Sequence, residues 1–173
     1  MTTPLDERSA AEVMTTGLLT ASQDDSVLMA WELMLRGGYH HLPVVAENGT
    51  FLGLLDSELL AAHWHEGGPD QNREPVGRLL HGRRALTVES AAPVRSVARL
   101  MLESRTDAVA VIDDAGRLLG LLTVHDLVSA LAGIRHQDQP HGPNPPSLYR
   151  IEPVVPPEHH QRAGRMFSQL PPD

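Results

Sequence analysis

The sequence predicts an α/β fold built from two copies of one small unit. Three observations carry that expectation. Apolar residues switch between helical spacing and short strand-like runs along the first 134 residues. The chain matches itself, without a gap, at an offset of 67 residues. In each copy a Gly-apolar-apolar run passes directly into a helical pattern, Gly53-Leu54-Leu55 in the first and Gly120-Leu121-Leu122 in the second.

Taken in order, Thr3-Pro4 ahead of Leu5, Ala10, Ala11, Val13 and Met14 reads as a short capped helix leading into the fold. Leu18 to Ala21 is a brief apolar stretch and the first strand of the unit. From Val27 to Arg36 the residues Val27, Ala30, Trp31, Met34 and Leu35 recur at helical spacing, so one face is buried. Gly37-Gly38 stops that helix. His41 to Val45 and Phe51 to Leu55 read as two strands joined through Ala46-Glu47-Asn48-Gly49, where Gly49 supplies a positive φ. Leu59 to Trp64 forms a second helix, ended by Gly67-Gly68-Pro69. The order is strand, helix, strand, strand, helix.

The second copy repeats this order residue for residue. Leu19-Thr20 falls on Leu86-Thr87, Val27 on Val94, Leu33-Met34-Leu35 on Leu100-Met101-Leu102, Val44 on Val111, Gly49 on Gly116 and Leu60 on Leu127. A unit of about 60 residues buries only roughly 60% of its surface and is marginal alone. The two copies are therefore expected to share a core about a pseudo-twofold axis, which creates two equivalent clefts suited to a ligand. The expected boundaries are a lead at 1–7, one repeat at 8–68, a second at 69–134 and a proline-rich tail at 135–173. Nine of the fourteen prolines lie in that tail, which is too poor in apolar residues to pack a core of its own. Within it, Leu148-Tyr149-Arg150-Ile151 and Arg165-Met166-Phe167 are the segments suited to docking.

Composition narrows the function. The chain of 173 residues is 41% apolar, enough for a core, but only 3% aromatic, so Leu, Val, Ala and Met must fill it. Twenty-two acids against fourteen bases give a net charge of −8, which argues against nucleic acid or an anionic membrane as partner. There is no cysteine, which excludes disulfides, thiol nucleophiles and Cys-ligated zinc and fits a reducing cytoplasm. No apolar run approaches the roughly 18 residues of a membrane span, so a cytoplasmic soluble protein is expected.

The chemically richest stretch is Leu118 to Leu131. A strand runs into a helix at Thr123-Val124-His125-Asp126, with Thr123 as cap and Asp126 answering three positions later. That helix start gathers backbone N–H groups, a hydroxyl and a carboxylate, which suit a ligand with anionic and diol parts. A capping box also stabilises many helices with no ligand at all.

Two such units, each with a Leu-Pro-Val-Val-like second strand (Leu42 to Val45 in the first), an acidic-Gly turn and a Gly-apolar-apolar third strand, resemble the cystathionine β-synthase (CBS) domain pair, or Bateman module. The resemblance covers roughly residues 8 to 134. Its most specific piece is Gly120-Leu121-Leu122-Thr123-Val124-His125-Asp126, which matches the Gly-x-x-Thr-x-x-Asp nucleotide motif of that family. The resemblance implies a non-catalytic regulatory protein that binds AMP, ADP, ATP or S-adenosylmethionine in an inter-repeat cleft, with no cofactor required. It implies a nucleotide site made by Thr123, His125 and Asp126 with Met14, Thr15 and Leu19 at the first entrance and Tyr39 and His40 before the second strand. In that arrangement Asp126 accepts the ribose diol, Thr123 and the helix start meet phosphate, Met14 and Leu19 flank adenine, and a protonated His40 pairs with phosphate oxygens. It also implies a homodimer through the helices and a regulated protein whose identity is unknown.

The mirror-related cleft departs from the motif. Asp56 stands where Thr is expected, Leu59 where the acid should be, and Asp107 opposite His40. A leucine cannot hold a diol and added carboxylates repel phosphate, so one competent and one degenerate cleft are expected. Of the ten histidines, His40-His41 and His63/His65 lack chelating spacing and His159-His160 lies in the tail, so no metal site is expected. Trp31 and Trp64 fit either core packing or an apolar helix face that meets a second copy. Arg78, Arg83 and Arg84 read as solvated linker, or as phosphate contacts at a dimer boundary. No Ser-His-Asp set, phosphate loop or dinucleotide fingerprint appears, so an enzyme is not expected. The alternative is a ligand-free dimeric scaffold with vestigial clefts.

Overall fold

The computed structural model describes residues 4–64 and 73–134. The proline-rich tail, His65, Gly67 to Pro69 and the side chain of Trp64 lie outside the described residues. Each repeat folds as strand, helix, strand, strand, helix. In the first these are β1 (Ala21–Ser22), α1 (Val27–Gly37), β2 (His41–Val45), β3 (Phe51–Asp56) and α2 (Ser57–Trp64). A single turn of helix, α3 (Val76–Leu79), leads to β4 (Thr87–Glu89), α4 (Val94–Ser104), β5 (Ala108–Ile112), β6 (Leu118–Thr123) and α5 (Val124–Leu131).

Each sheet has three strands, ordered β1-β2-β3 and β4-β5-β6, with the first pair parallel and the second antiparallel. Both carry a register shift at the same place, Val44/Val45 and Val111/Ile112. One difference follows from Pro43. The Ala110 N–H donates to Leu86 O at 3.1 Å, extending the β4 edge, whereas Pro43 at the equivalent position has no N–H to give. The first strand of repeat 1 is accordingly two residues long and that of repeat 2 three.

Local chemistry explains the helix ends. The Ser26 hydroxyl accepts from the Met29 N–H at 3.2 Å and opens α1, and Gly38, at φ +66°, closes it. At the equivalent end of α4 stands Arg105, also left-handed at φ +54° and the one non-glycine with positive φ among the described residues. An L-residue there costs about 1 kcal/mol or more.

Two expectations change. Residues 5–14 form two 3-10 turns, Leu5–Glu7 and Ala10–Glu12, rather than one helix. Ser9 caps the second and Glu12 reaches back to its backbone N–H at 2.7 Å, which starts a new turn where a continuous helix would have run on. The sequence repeat is also not the packing unit. Ala10 and Val13 pack in the core of repeat 2 with Val94, Val97, Met101, Val109, Val111 and Leu122. Val76, from the start of the second copy, packs in the core of repeat 1 with Val27, Leu33, Leu42, Val44, Leu55 and Leu60. Backbone bonds make the same exchange, Val94 N–H to Arg8 O and Val27 N–H to Glu74 O. Each copy lends its leading segment to the other, so neither core is complete alone.

The repeats meet at a smaller third cluster, Ala108, Ala110 and Leu121 with Leu18, Phe51, Leu54 and Leu118 against them. On the pseudo-twofold axis Thr50 bridges Arg117, and these two positions are each other's equivalents at the 67-residue offset. Phe51 N–H to Gly116 O and Leu118 N–H to Gly49 O close that joint at 2.9 and 3.1 Å.

Candidate functional site

The capping box forms as the sequence predicts. Thr123 Oγ1 accepts from the Asp126 N–H at 3.2 Å, and Asp126 Oδ2 accepts from the Thr123 N–H at 2.6 Å and its hydroxyl at 2.9 Å. The second carboxylate oxygen reaches across the repeats, where Asp126 Oδ1 accepts from the Thr15 hydroxyl at 3.3 Å. Thr15 is held there by a two-way backbone bridge with Leu121, 2.9 and 3.0 Å. The bridge needs Gly120, since a Cβ there would stand 2.9 Å from Thr15 O and overlap the Met14 side chain. Met14, Thr15, Thr123 and Asp126 therefore gather at one junction, and Asp126 is only 3% exposed.

Of the other expected site residues, His125 stays beside the junction and Leu19, Tyr39 and His40 lie elsewhere. Leu19, 4% exposed, belongs to the repeat 1 core, so its side chain packs inward rather than flanking a ligand. Tyr39 packs against that core, its ring over Gly37. His125 is exposed on the first turn of α5. His40 is exposed and lines the opposite cleft. It stands there with Asp107, its equivalent at the 67-residue offset, and not at the Asp126 junction.

That opposite cleft, expected to be degenerate, holds a cavity of about 470 Å³. Its walls include His40, His41, Asp56, Leu80, Arg83, Arg84, Arg105 and Asp107. Among the described residues no bridge joins Gly82 to Leu54, the counterpart of Thr15 with Leu121, so this end is left open. Leu59 is half-buried against the repeat 1 core and offers no diol acceptor, as expected. The acids expected there do stand on the wall, and Glu58 joins them. Asp56 Oδ1 accepts from the Leu59 N–H at 2.6 Å and caps α2, and Asp107 pairs with His41 Nε2 at 2.9 Å. For Arg83 and Arg84 the sequence suggests solvated linker or phosphate contacts at a dimer boundary, and it singles out no role for Arg105. The missed signal was the offset itself, which sets Arg105 on Gly38 and places Arg83-Arg84 at the entrance matching Thr16-Gly17.

Comparison with known proteins agrees with this architecture. The family described as CBS domain matches residues 10–62 and 76–133, and the chain belongs to that family as a tandem CBS pair. A CBS domain-containing protein of Dictyostelium discoideum is 29% identical over 128 residues, covering 69% of this chain and 88% of the relative. L-aspartate semialdehyde sulfurtransferase of Methanocaldococcus jannaschii is 27% identical over 115 residues, covering 66% of this chain but only 21% of the relative's length. Among solved structures, CBSX2 in complex with AMP is 28% identical with a TM-score of 0.65, covering 72% of this chain and 96% of that one. The CBS domain pair of protein MJ0100, in complex with 5′-methylthioadenosine and S-adenosyl-L-methionine, is 26% identical with a TM-score of 0.61, covering 73% and 100%. No helix among the described residues is long and apolar enough to cross a membrane.

Proposed function

We propose that this chain is a regulatory, non-catalytic module that binds an adenosine-type ligand at the Asp126 junction and passes its state to a partner protein. The observation that carries the reading is the Thr15 to Asp126 hydrogen bond, which ties the entrance of one repeat to the nucleotide motif of the other. A ribose diol is the natural competitor for that bond. It would displace the Thr15 hydroxyl from Asp126 Oδ1 while Thr123 keeps Oδ2, so occupancy and the joint between repeats are linked. Met14 borders the same junction and His125 stands exposed beside it. The adenosine ligands of CBSX2 and the MJ0100 pair support this ligand class. Leu35 and Leu102, equivalent positions on α1 and α4, and Val128 and Leu131 on α5 are exposed, which supports a homodimer formed through helices. Cytoplasmic location is part of the same reading.

Calorimetry with AMP, ADP, ATP and S-adenosylmethionine tests it. Saturable binding of at least one, weakened tenfold or more in Asp126→Asn, is expected. The burial of Asp126 and the engagement of both its oxygens within the chain favour the second reading, a ligand-free dimeric scaffold. Silence from all four compounds selects that scaffold.

A further inference from the structure

The geometry points to Asn48-Gly49 as a site of spontaneous covalent modification, in which the Asn48 amide is lost and the turn that joins the two repeats is remade. This goes beyond the adenosine reading and does not rest on it. Asn48-Gly49 is the one Asn-Gly pair in the chain, since Asn72 precedes Arg73 and Asn144 precedes Pro145. Asn48 is exposed on the turn between β2 and β3, so water and hydroxide reach its side chain. Its Oδ1 accepts from the Thr50 N–H at 3.0 Å, which folds the side chain back over the Gly49 amide and polarises Cγ. Gly49 has no Cβ to shield that nitrogen, and its φ of +83° favours glycine at the position. The Gly49 nitrogen, on losing its proton to base, attacks Asn48 Cγ, and ammonia leaves to give a succinimide ring. Water then opens the ring. Opening at Cγ gives aspartate, and opening at the main-chain carbonyl gives isoaspartate, whose backbone runs through Cβ and is one carbon longer. The Gly49 N–H also donates to Ala46 O at 2.9 Å, a bond the attack must break, so the folded turn reacts more slowly than an open chain.

The place gives the change its consequence. Gly49 O accepts from the Leu118 N–H at 3.1 Å, the Phe51 N–H donates to Gly116 O at 2.9 Å, and Thr50 bridges Arg117, so this turn is half of the joint on the pseudo-twofold axis. The other half has Ala115 where repeat 1 has Asn48, and alanine carries no amide to lose. An extra main-chain carbon just ahead of Gly49 therefore displaces one side of the joint and leaves the other as it was.

The test is to age the full chain in mildly alkaline buffer, at a pH where circular dichroism shows an intact fold. Peptide mass spectrometry reads the amide loss, and labelling by isoaspartyl methyltransferase reads the isoaspartate. Loss at Asn48 is expected to run at least tenfold faster than at Asn72 and to quicken with hydroxide concentration. In the aged chain the Phe51 and Leu118 amides should exchange with deuterium at least tenfold faster than in the fresh one, while aged Asn48→Ser should keep its fresh rates. Fresh Asn48→Asp supplies the carboxylate without the added carbon and keeps an acceptor for the Thr50 N–H, so it should exchange as fresh wild type does. Amide loss at Asn48 no faster than at Asn72, an aged chain without isoaspartate label, or unchanged exchange at Phe51 and Leu118 once the label appears overturns the proposal. The same loosening in aged Asn48→Ser or in fresh Asn48→Asp overturns it too.

Discussion

The two ends of the inter-repeat groove start from nearly the same backbone and finish with different chemistry. At the Asp126 end, Thr15 is stitched to Leu121 and its hydroxyl closes over the carboxylate. At the Asp56 end the corresponding stitch is missing, the acid serves only its own helix, and a cavity opens among arginines. A handful of substitutions between duplicated units, Thr123 for Asp56, Asp126 for Leu59 and Arg105 for Gly38, accompanies the difference between a closed polar junction and an open one lined by charges of both signs. Duplication supplies the geometry twice, and side-chain pairing decides what each copy of it can hold.

The sharpest way to break that comparison is to remove the two acids in turn. Asp126→Ala removes the acid of the capping box and its bonds from the half-buried Thr15 and Thr123 hydroxyls, and should cost about 2–3 kcal/mol in urea unfolding. Asp56→Ala loses only a half-buried cap and should cost about 1 kcal/mol. Equal losses would mean the Asp126 contacts across the repeats contribute nothing to stability.

Smaller differences are expected at the glycines. Gly120→Ala forces a Cβ against the Thr15 backbone carbonyl and should destabilise by about 1–3 kcal/mol. Gly53→Ala meets the side chain of Leu80, both methyls and Cγ, which can turn aside where a backbone carbonyl cannot, so its cost in the same measurement should stay below about 1 kcal/mol. A reversed order would show that the Asp126 end is not the tighter of the two.

The smallest effect separates the two hairpin turns. In repeat 2 the Asp113 carboxylate accepts from the backbone N–H of Arg117 at 2.8 Å and of Ala115 at 3.0 Å, and pairs with the Arg117 guanidinium. Repeat 1 has Ala46 there and relies on Asn48 Oδ1 accepting from Thr50 N–H. The Arg117 backbone bond, helped by its guanidinium and opposed by some desolvation, holds the Asp113 carboxyl below the ordinary aspartate range. A carboxyl depressed in the folded state stabilises fully above its unfolded pKa and loses that contribution as pH falls through the folded value. Wild type should therefore exceed Asp113→Ala in stability at pH 7, and the gap should close as pH drops below about 4. A gap that persists at pH 2 would assign the effect to something other than the ionised turn.

The sequence by itself determined the repeat, and with it the order of elements, the pseudo-twofold axis and the cap at Thr123 and Asp126. These are legible because they depend on spacing within a few residues or on identity at one fixed offset. Tertiary structure decided the rest. The pairing of His41 with Asp107 and the closing of Thr15 over Asp126 join residues 66 and 111 positions apart, and the exchange of leading segments and the burial of Leu19 also depend on contacts between separate elements. No local pattern encodes which side chain a distant strand will present. The cavity at the open cleft was illegible for the same reason: it exists where Gly82 and Leu54 fail to make the bridge that Thr15 and Leu121 make.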